Sequence, residues 1–102
     1  QGPYRLDALL TPTTTTTAFP VSGNMHEDSV LMQYADQFTV TANHAGIPGI
    51  SIPAGFDSAG LPIGVQLLGP DFSEERLFQI GHAYETVTRD DEWRKARPKV
   101  LR

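Results

Sequence analysis

The run Gly49-Ile50-Ser51-Ile52-Pro53-Ala54-Gly55-Phe56, its link Asp57-Ser58-Ala59-Gly60-Leu61-Pro62 and the second run Ile63-Gly64-Val65-Gln66-Leu67-Leu68-Gly69 decide the fold. Large apolar residues alternate with small ones in the first run, Gly and Pro bound it, and the second run is again apolar and extended. A parallel crossover needs a dozen residues or more, so a link this short makes the two runs antiparallel neighbours.

Downstream of this hairpin, Ser73 starts the clearest helix of the chain. Glu74 and Glu75 fall in its first turn, where negative charge suits the macrodipole, and Leu77, Ile80, Tyr84 and Val87 form its core stripe. The tail from Asp91 to Arg102 carries Trp93 and several basic residues, and Pro98 breaks any helix there. Upstream, a helix capped by Ser29 is expected, with Leu31, Tyr34, Phe38, Ala42 and Ala45 lining one apolar face. Gly46 suits its left-handed C-terminal position and Pro48 stops its continuation. A turn-rich loop, Pro20 to Asp28, precedes it. Before that, Leu6 to Thr17 reads as a strand around Ala8-Leu9-Leu10 that runs into five threonines. A glycosylated Thr/Pro stalk is the other reading of Thr13 to Thr17, and its shortness and apolar flanks weigh against it. The order is strand, loop, helix, hairpin, helix: an α/β arrangement with only part of a sheet accounted for.

At 102 residues the chain suffices for one small domain, with no second domain and no internal repeat. A chain of this size buries only about 60–65% of its unfolded surface, so its core is marginal without a partner. Eight Lys and Arg against 12 Asp and Glu argue against a nucleic-acid grip by this piece alone. The absence of Cys excludes disulfide scaffolds, zinc ribbons and thiol catalysis, and is compatible with a reducing compartment. There is no run of about 18 apolar residues, hence no expected membrane span. The start, Gln1-Gly2-Pro3-Tyr4-Arg5, has neither an initiator Met nor a signal-peptide pattern, and a removed upstream portion is expected.

His26, His44 and His82 lack close ligand spacing and read as surface or helix-face residues rather than a metal set. Ser22, Ser29, Ser51, Ser58 and Ser73 all lack the context of a nucleophile elbow, and the glycines form no phosphate-binding loop between strand and helix. Asp36 is the acid of interest. It falls within the expected first helix, with Thr39 and Asn43 at +3 and +7 on one polar stripe. An enclosed Asp36 needs a cationic or donor partner, for which a substrate ammonium would serve; the other reading is a solvated helix face.

The residues Asp36-Gln37-Phe38-Thr39-Val40-Thr41-Ala42-Asn43-His44-Ala45-Gly46-Ile47-Pro48-Gly49-Ile50-Ser51-Ile52-Pro53-Ala54-Gly55 resemble the C-terminal part of the amidase signature family. The flanks Asp7 to Thr13 and Gly60 to Gly69, and the helix holding Gly81-His82-Ala83-Tyr84-Glu85, are similar as well. Within the family the likeness is to the glutamine-using subunits of tRNA-dependent amidotransferases. This resemblance implies an α/β fold with a mixed sheet flanked by helices, of which residues 1–102 would be the C-terminal fragment of one amidase domain. It also implies a Ser, cis-Ser, Lys triad that hydrolyses an amide, the lysine acting as base through the bridging serine. In those subunits the amide is glutamine. The ammonia passes to a partner that activates glutamyl-tRNA with ATP and Mg, within a cytoplasmic assembly that also holds B and C subunits.

No Gly/Ser-rich signature run occurs here, and Lys95 and Lys99 lie in the tail, so all three catalytic residues are expected outside the chain. No cofactor is expected in the chain itself, and aminoacyl-tRNA would be met through the partner subunit. The resemblance assigns one site residue, Asp36, at the position that holds the α-amino group of glutamine. Departures from the family pattern are Thr15 for a usual Pro and His44 for a usual apolar residue. A stand-alone amidase acting on other carboxylic amides and a catalytically inert interaction module are the alternative readings. On each of them the isolated chain is expected to be catalytically silent and to expose apolar surface.

Overall fold

A computed structural model of the chain describes residues 5–20 and 34–97. In chain order its elements are β1 (Leu9–Pro12), α1 (Val40–Ala45), β2 (Gly49–Phe56), β3 (Pro62–Leu68), α2 (Glu74–Val87) and a 3-10 turn over Glu92–Lys95. The three strands form one sheet in the order β1-β3-β2, antiparallel throughout. Here the expected mixed sheet is represented by antiparallel strands alone.

The hairpin forms where the sequence places it. Gly49 pairs with Leu68, Ile50 with Leu67 and Ile52 with Val65, and the register shifts between Pro53 and Gly55, whose φ is 131°. Such an irregularity suits Pro53, which has no amide to give the ladder, and Gly55, which tolerates positive φ. The link is organised by Asp57. Its Oδ1 accepts the amides of Ala59 and Leu61, each at 2.9 Å, while its own amide donates to the Leu61 carbonyl at 2.9 Å. The Thr17 hydroxyl donates to Oδ2 at 2.7 Å, so the threonine-rich segment is tied to the hairpin.

The alternation along the strands sorts the two faces of the sheet. Ile50, Ile52, Val65, Leu67 and Leu10 share one face, and α2 packs there: a Cβ on Gly81 would lie 3.8 Å from Ile52, and one on Gly69 would lie 3.1 Å from Leu77. Leu9, Thr11, Gly49, Ser51, Gln66 and Leu68 share the other, where a Cβ on Gly49 would lie 3.8 Å from that of Ala42 in α1. Among the described residues, Leu67, Leu68 and Leu77 are the buried apolar ones. On β1, Leu9 is 52% and Leu10 68% exposed, so apolar surface stands open on both faces of that strand.

Two expectations are corrected. The first helix was expected to run from Ser29 through Asp36 to Ala45. The Ser29 cap and Leu31 lie outside the described residues; Tyr34 is helical, Ala35 to Thr39 wind as consecutive turns, and regular helix resumes at Val40. The Asp36 carbonyl accepts the amides of Thr39 (3.1 Å) and Val40 (2.9 Å) together with the Thr39 hydroxyl (3.2 Å). The β-branched run Thr39-Val40-Thr41 favours helix weakly, which suits a break just ahead of α1. Gly46 does close α1 in the left-handed conformation, φ 69° and ψ 31°, with its amide on the Ala42 carbonyl. The second correction concerns Val87, which is 83% exposed and leaves the expected core stripe. At about 100° per residue, Tyr84 and Thr88 rather than Val87 continue the line of Leu77 and Gly81.

Candidate functional site

Asp36, the residue singled out by the sequence, lies in the turns that lead into α1, and its side chain is exposed. Among the described residues there are two ion pairs, Arg76 with Asp7 and Lys95 with Glu92, and Asp36 belongs to neither. Its polar stripe with Thr39 and Asn43 does not persist as a helical stripe, because Thr39 precedes α1 and turns its hydroxyl back onto the Asp36 carbonyl.

What fixes this segment comes from the sheet below it. Gln66 in β3 is 5% exposed and is the buried polar side chain among the described residues. Its Nε2 donates to the Phe38 carbonyl at 2.8 Å and to Thr11 Oγ1 at 2.9 Å, and the Thr11 hydroxyl donates onward to the Pro12 carbonyl at 2.9 Å. A carbonyl can only accept, so the Phe38 contact sets which end of the amide faces it. Beside this relay, Thr13 Oγ1 and Ser51 Oγ are 2.8 Å apart. A Cβ on Gly64 would meet both hydroxyl oxygens at 3.1–3.2 Å, so the glycine leaves room for the pair. The Asp36-bearing turns are thus anchored to this face of the sheet through the Phe38 carbonyl.

Sequence reasoning passed over Gln66, although an amide in the middle of Ile63-Gly64-Val65-Gln66-Leu67-Leu68 was a signal for a buried polar contact. Asp57 was read only as a turn former. Its carboxyl is held below the ordinary aspartate value, first by the Leu61 amide and then by the Thr17 hydroxyl, with the Ala59 and Gly60 amides adding to this. The other candidates are scattered. His44 and His82 are exposed on α1 and α2, Ser51 is engaged with Thr13, and Ser73 donates to the Pro70 carbonyl at 2.6 Å. His26, Ser22, Ser29 and Lys99 lie outside the described residues, and Thr15 and Lys95 are exposed. Among the described residues no three His, Asp or Glu side chains come together as a metal would require. No helix among them is long and apolar enough to cross a membrane.

At the far end of α2 the tail folds back. The Arg94 guanidinium lies 4.4 Å from the Trp93 ring centre and 5.5 Å from that of Tyr84, and its Nε donates to Thr88 Oγ1 at 2.8 Å. Trp93, Arg94 and Ala96 thereby wall one side of a cleft of about 240 Å³ whose other side is the hairpin bulge at Pro53, Gly55 and Phe56.

A three-stranded antiparallel piece with a helix on one face and the Asp36-bearing turns hydrogen-bonded to the other is matched over residues 3–78 by the model of the amidase family, and the chain belongs to that family. More particularly, it is 49% identical over 95 residues to the glutamyl-tRNA(Gln) amidotransferase A subunit of Streptococcus agalactiae, a match that covers 93% of this chain and 18% of the relative. The crystal structure of the glutamyl-tRNA(Gln) amidotransferase A subunit of Thermotoga maritima superposes with a TM-score of 0.73 at 42% identity, covering 78% of this chain and 17% of that one. The structure of 6-aminohexanoate cyclic dimer hydrolase matches with a TM-score of 0.66 at 29% identity, over 94% of this chain and 22% of that one. The chain therefore spans about a fifth of the length of the relatives it matches.

Proposed function

We propose that this chain is the C-terminal part of the glutamine-hydrolysing subunit of a tRNA-dependent amidotransferase, with Asp36 holding the α-ammonium of glutamine. The observation that carries the reading is the 49% identity to the streptococcal A subunit over 93% of the chain. The state of Asp36 agrees with it, since the residue is exposed and, among the described residues, in no ion pair, so a cation can reach its carboxylate. The triad of Ser, cis-Ser and Lys belongs to the portion of the enzyme beyond these 102 residues. There the nucleophilic serine attacks the amide carbon, ammonia leaves, and water releases glutamate. ATP and Mg stay with a partner subunit that activates glutamyl-tRNA. B and C subunits complete a cytoplasmic assembly.

The test is made on the full-length subunit in its complex. Asp36→Asn is expected to lower kcat/KM for glutamine on the order of 100-fold, the scale of a lost charge-assisted pair, and to spare a primary amide without an α-amino group. Equal losses on both substrates would remove Asp36 from the site. The likeness to 6-aminohexanoate cyclic dimer hydrolase favours a second reading, a stand-alone amidase acting on other carboxylic amides. Indifference of the wild-type enzyme to the α-amino group would select it.

A further inference from the structure

The buried amide of Gln66 is spent on two acceptors, neither of which is its neighbour in sequence. Phe38 is 28 residues away and Thr11 is 55 away. An amide buried to this degree in β3 costs free energy unless its donors are satisfied, and both are. The Phe38 carbonyl is the point at which the sheet takes hold of the segment between Tyr34 and α1. Asp36 sits two residues before that point, in turns closed by its own carbonyl on the amides of Thr39 and Val40. This wound segment leads into α1, and among the described residues its hydrogen bond to the sheet comes from a single side chain.

Resting on the reading of Asp36 as the ammonium ligand, we propose that Gln66 is a positioning residue for substrate selection: it sets where the Asp36 carboxylate stands and so how strongly an α-ammonium is held. Gln66 itself touches no substrate. Its effect passes through the Phe38 carbonyl, and the Thr11 hydroxyl keeps the amide turned toward that carbonyl by taking the second N–H and handing its own proton to Pro12. A purely structural amide would lower the activity of every substrate alike. A positioning amide acts on those substrates alone that carry the group Asp36 binds.

The experiment compares glutamine with a primary amide lacking the α-amino group, on the full-length enzyme in its complex, for Gln66→Met, Asp36→Asn and the double variant. Gln66→Met keeps the length of the side chain and removes both donors. Displacing a binding group by about 1 Å costs up to about 100-fold, so an increase of roughly 10- to 100-fold in KM for glutamine is expected, with kinetics on the plain amide within about twofold of wild type. In the Asp36→Asn background, Gln66→Met is expected to add no further loss on glutamine. Equal losses on the two substrates, or the full effect of Gln66→Met persisting without Asp36, would overturn the proposal. Asp36→Asn alone decides the underlying reading, so the two failures are distinguishable. Should Gln66→Met not yield folded enzyme, Thr11→Val carries the same comparison. It frees one donor, and a selective loss of about three- to tenfold on glutamine is expected, an equal loss on both amides again being contrary.

Discussion

Under α2 the sheet presents Ile50, Ile52, Val65 and Leu67, and the helix meets it with Leu77 and the bare backbone of Gly81. The sheet's other face carries Thr11, Ser51 and Gln66 beside Leu9, Gly49 and the buried Leu68, and there Gln66 hydrogen-bonds the Phe38 carbonyl in the turns ahead of α1 while Thr13 and Ser51 bond each other. The first face gains from area removed from water, a term without direction. The second gains little net stability per bond but fixes positions, because each bond demands a distance and an angle. One sheet thus separates holding the fold together from placing a residue.

The sharpest way to break this contrast is Leu77→Ala in the full-length protein. Leu77 is 2% exposed, and a cavity at such a site costs about 2–5 kcal/mol, read as a lowered denaturant midpoint. A loss below about 1 kcal/mol would mean that the apolar face is not where the stability lies. Gly69→Ala tests the same face from the opposite direction. Its new methyl would overlap Ser73 Oγ and press on Leu77, a destabilisation of about 1–3 kcal/mol that Ser73→Gly in the same chain should partly relieve. Lack of any relief would place the strain elsewhere. The smallest effect is expected at the link. Because the Asp57 carboxyl lies below its ordinary value of 3.8 in the folded chain, its contribution is complete above that value and is lost as the pH falls through the lowered one. Asp57→Asn should therefore lower stability slightly at neutral pH and converge with wild type as the pH falls, flattening this part of the curve, and an unchanged pH dependence would detach the link from stability.

How much of this was legible depended on the range of the interactions. The hairpin and α2 were readable because Gly, Pro and the acidic first turn mark their limits locally, and Gly46 closes α1 for a reason contained in Gly itself. The first helix was misread as continuous because Tyr34, Phe38 and Ala42 keep helical spacing whether or not the backbone between them does. The Phe38 carbonyl is bound by an amide 28 residues downstream, and local periodicity carries no trace of that. Val87 satisfied a spacing rule on the sequence but lies off the line that Gly69 and Ile52 define. Asp36 was legible as a residue of interest by resemblance, while the side chain that anchors its segment was not, since Gln66 sits within an apolar run whose partners come from two distant segments.

The pairing of β1 has a consequence in time. Leu9 meets Leu68, 59 residues later in the chain, whereas β2 and β3 are joined by a short link. During synthesis at about 5–20 residues per second, β1 leaves the ribosome roughly 3–12 s before its partner strand exists. The hairpin can close within microseconds of emerging, so it is the template and β1 the late arrival. For those seconds Leu9 and Leu10 travel without the β3 strand that pairs with them here, two apolar residues open to mispairing until the hairpin emerges.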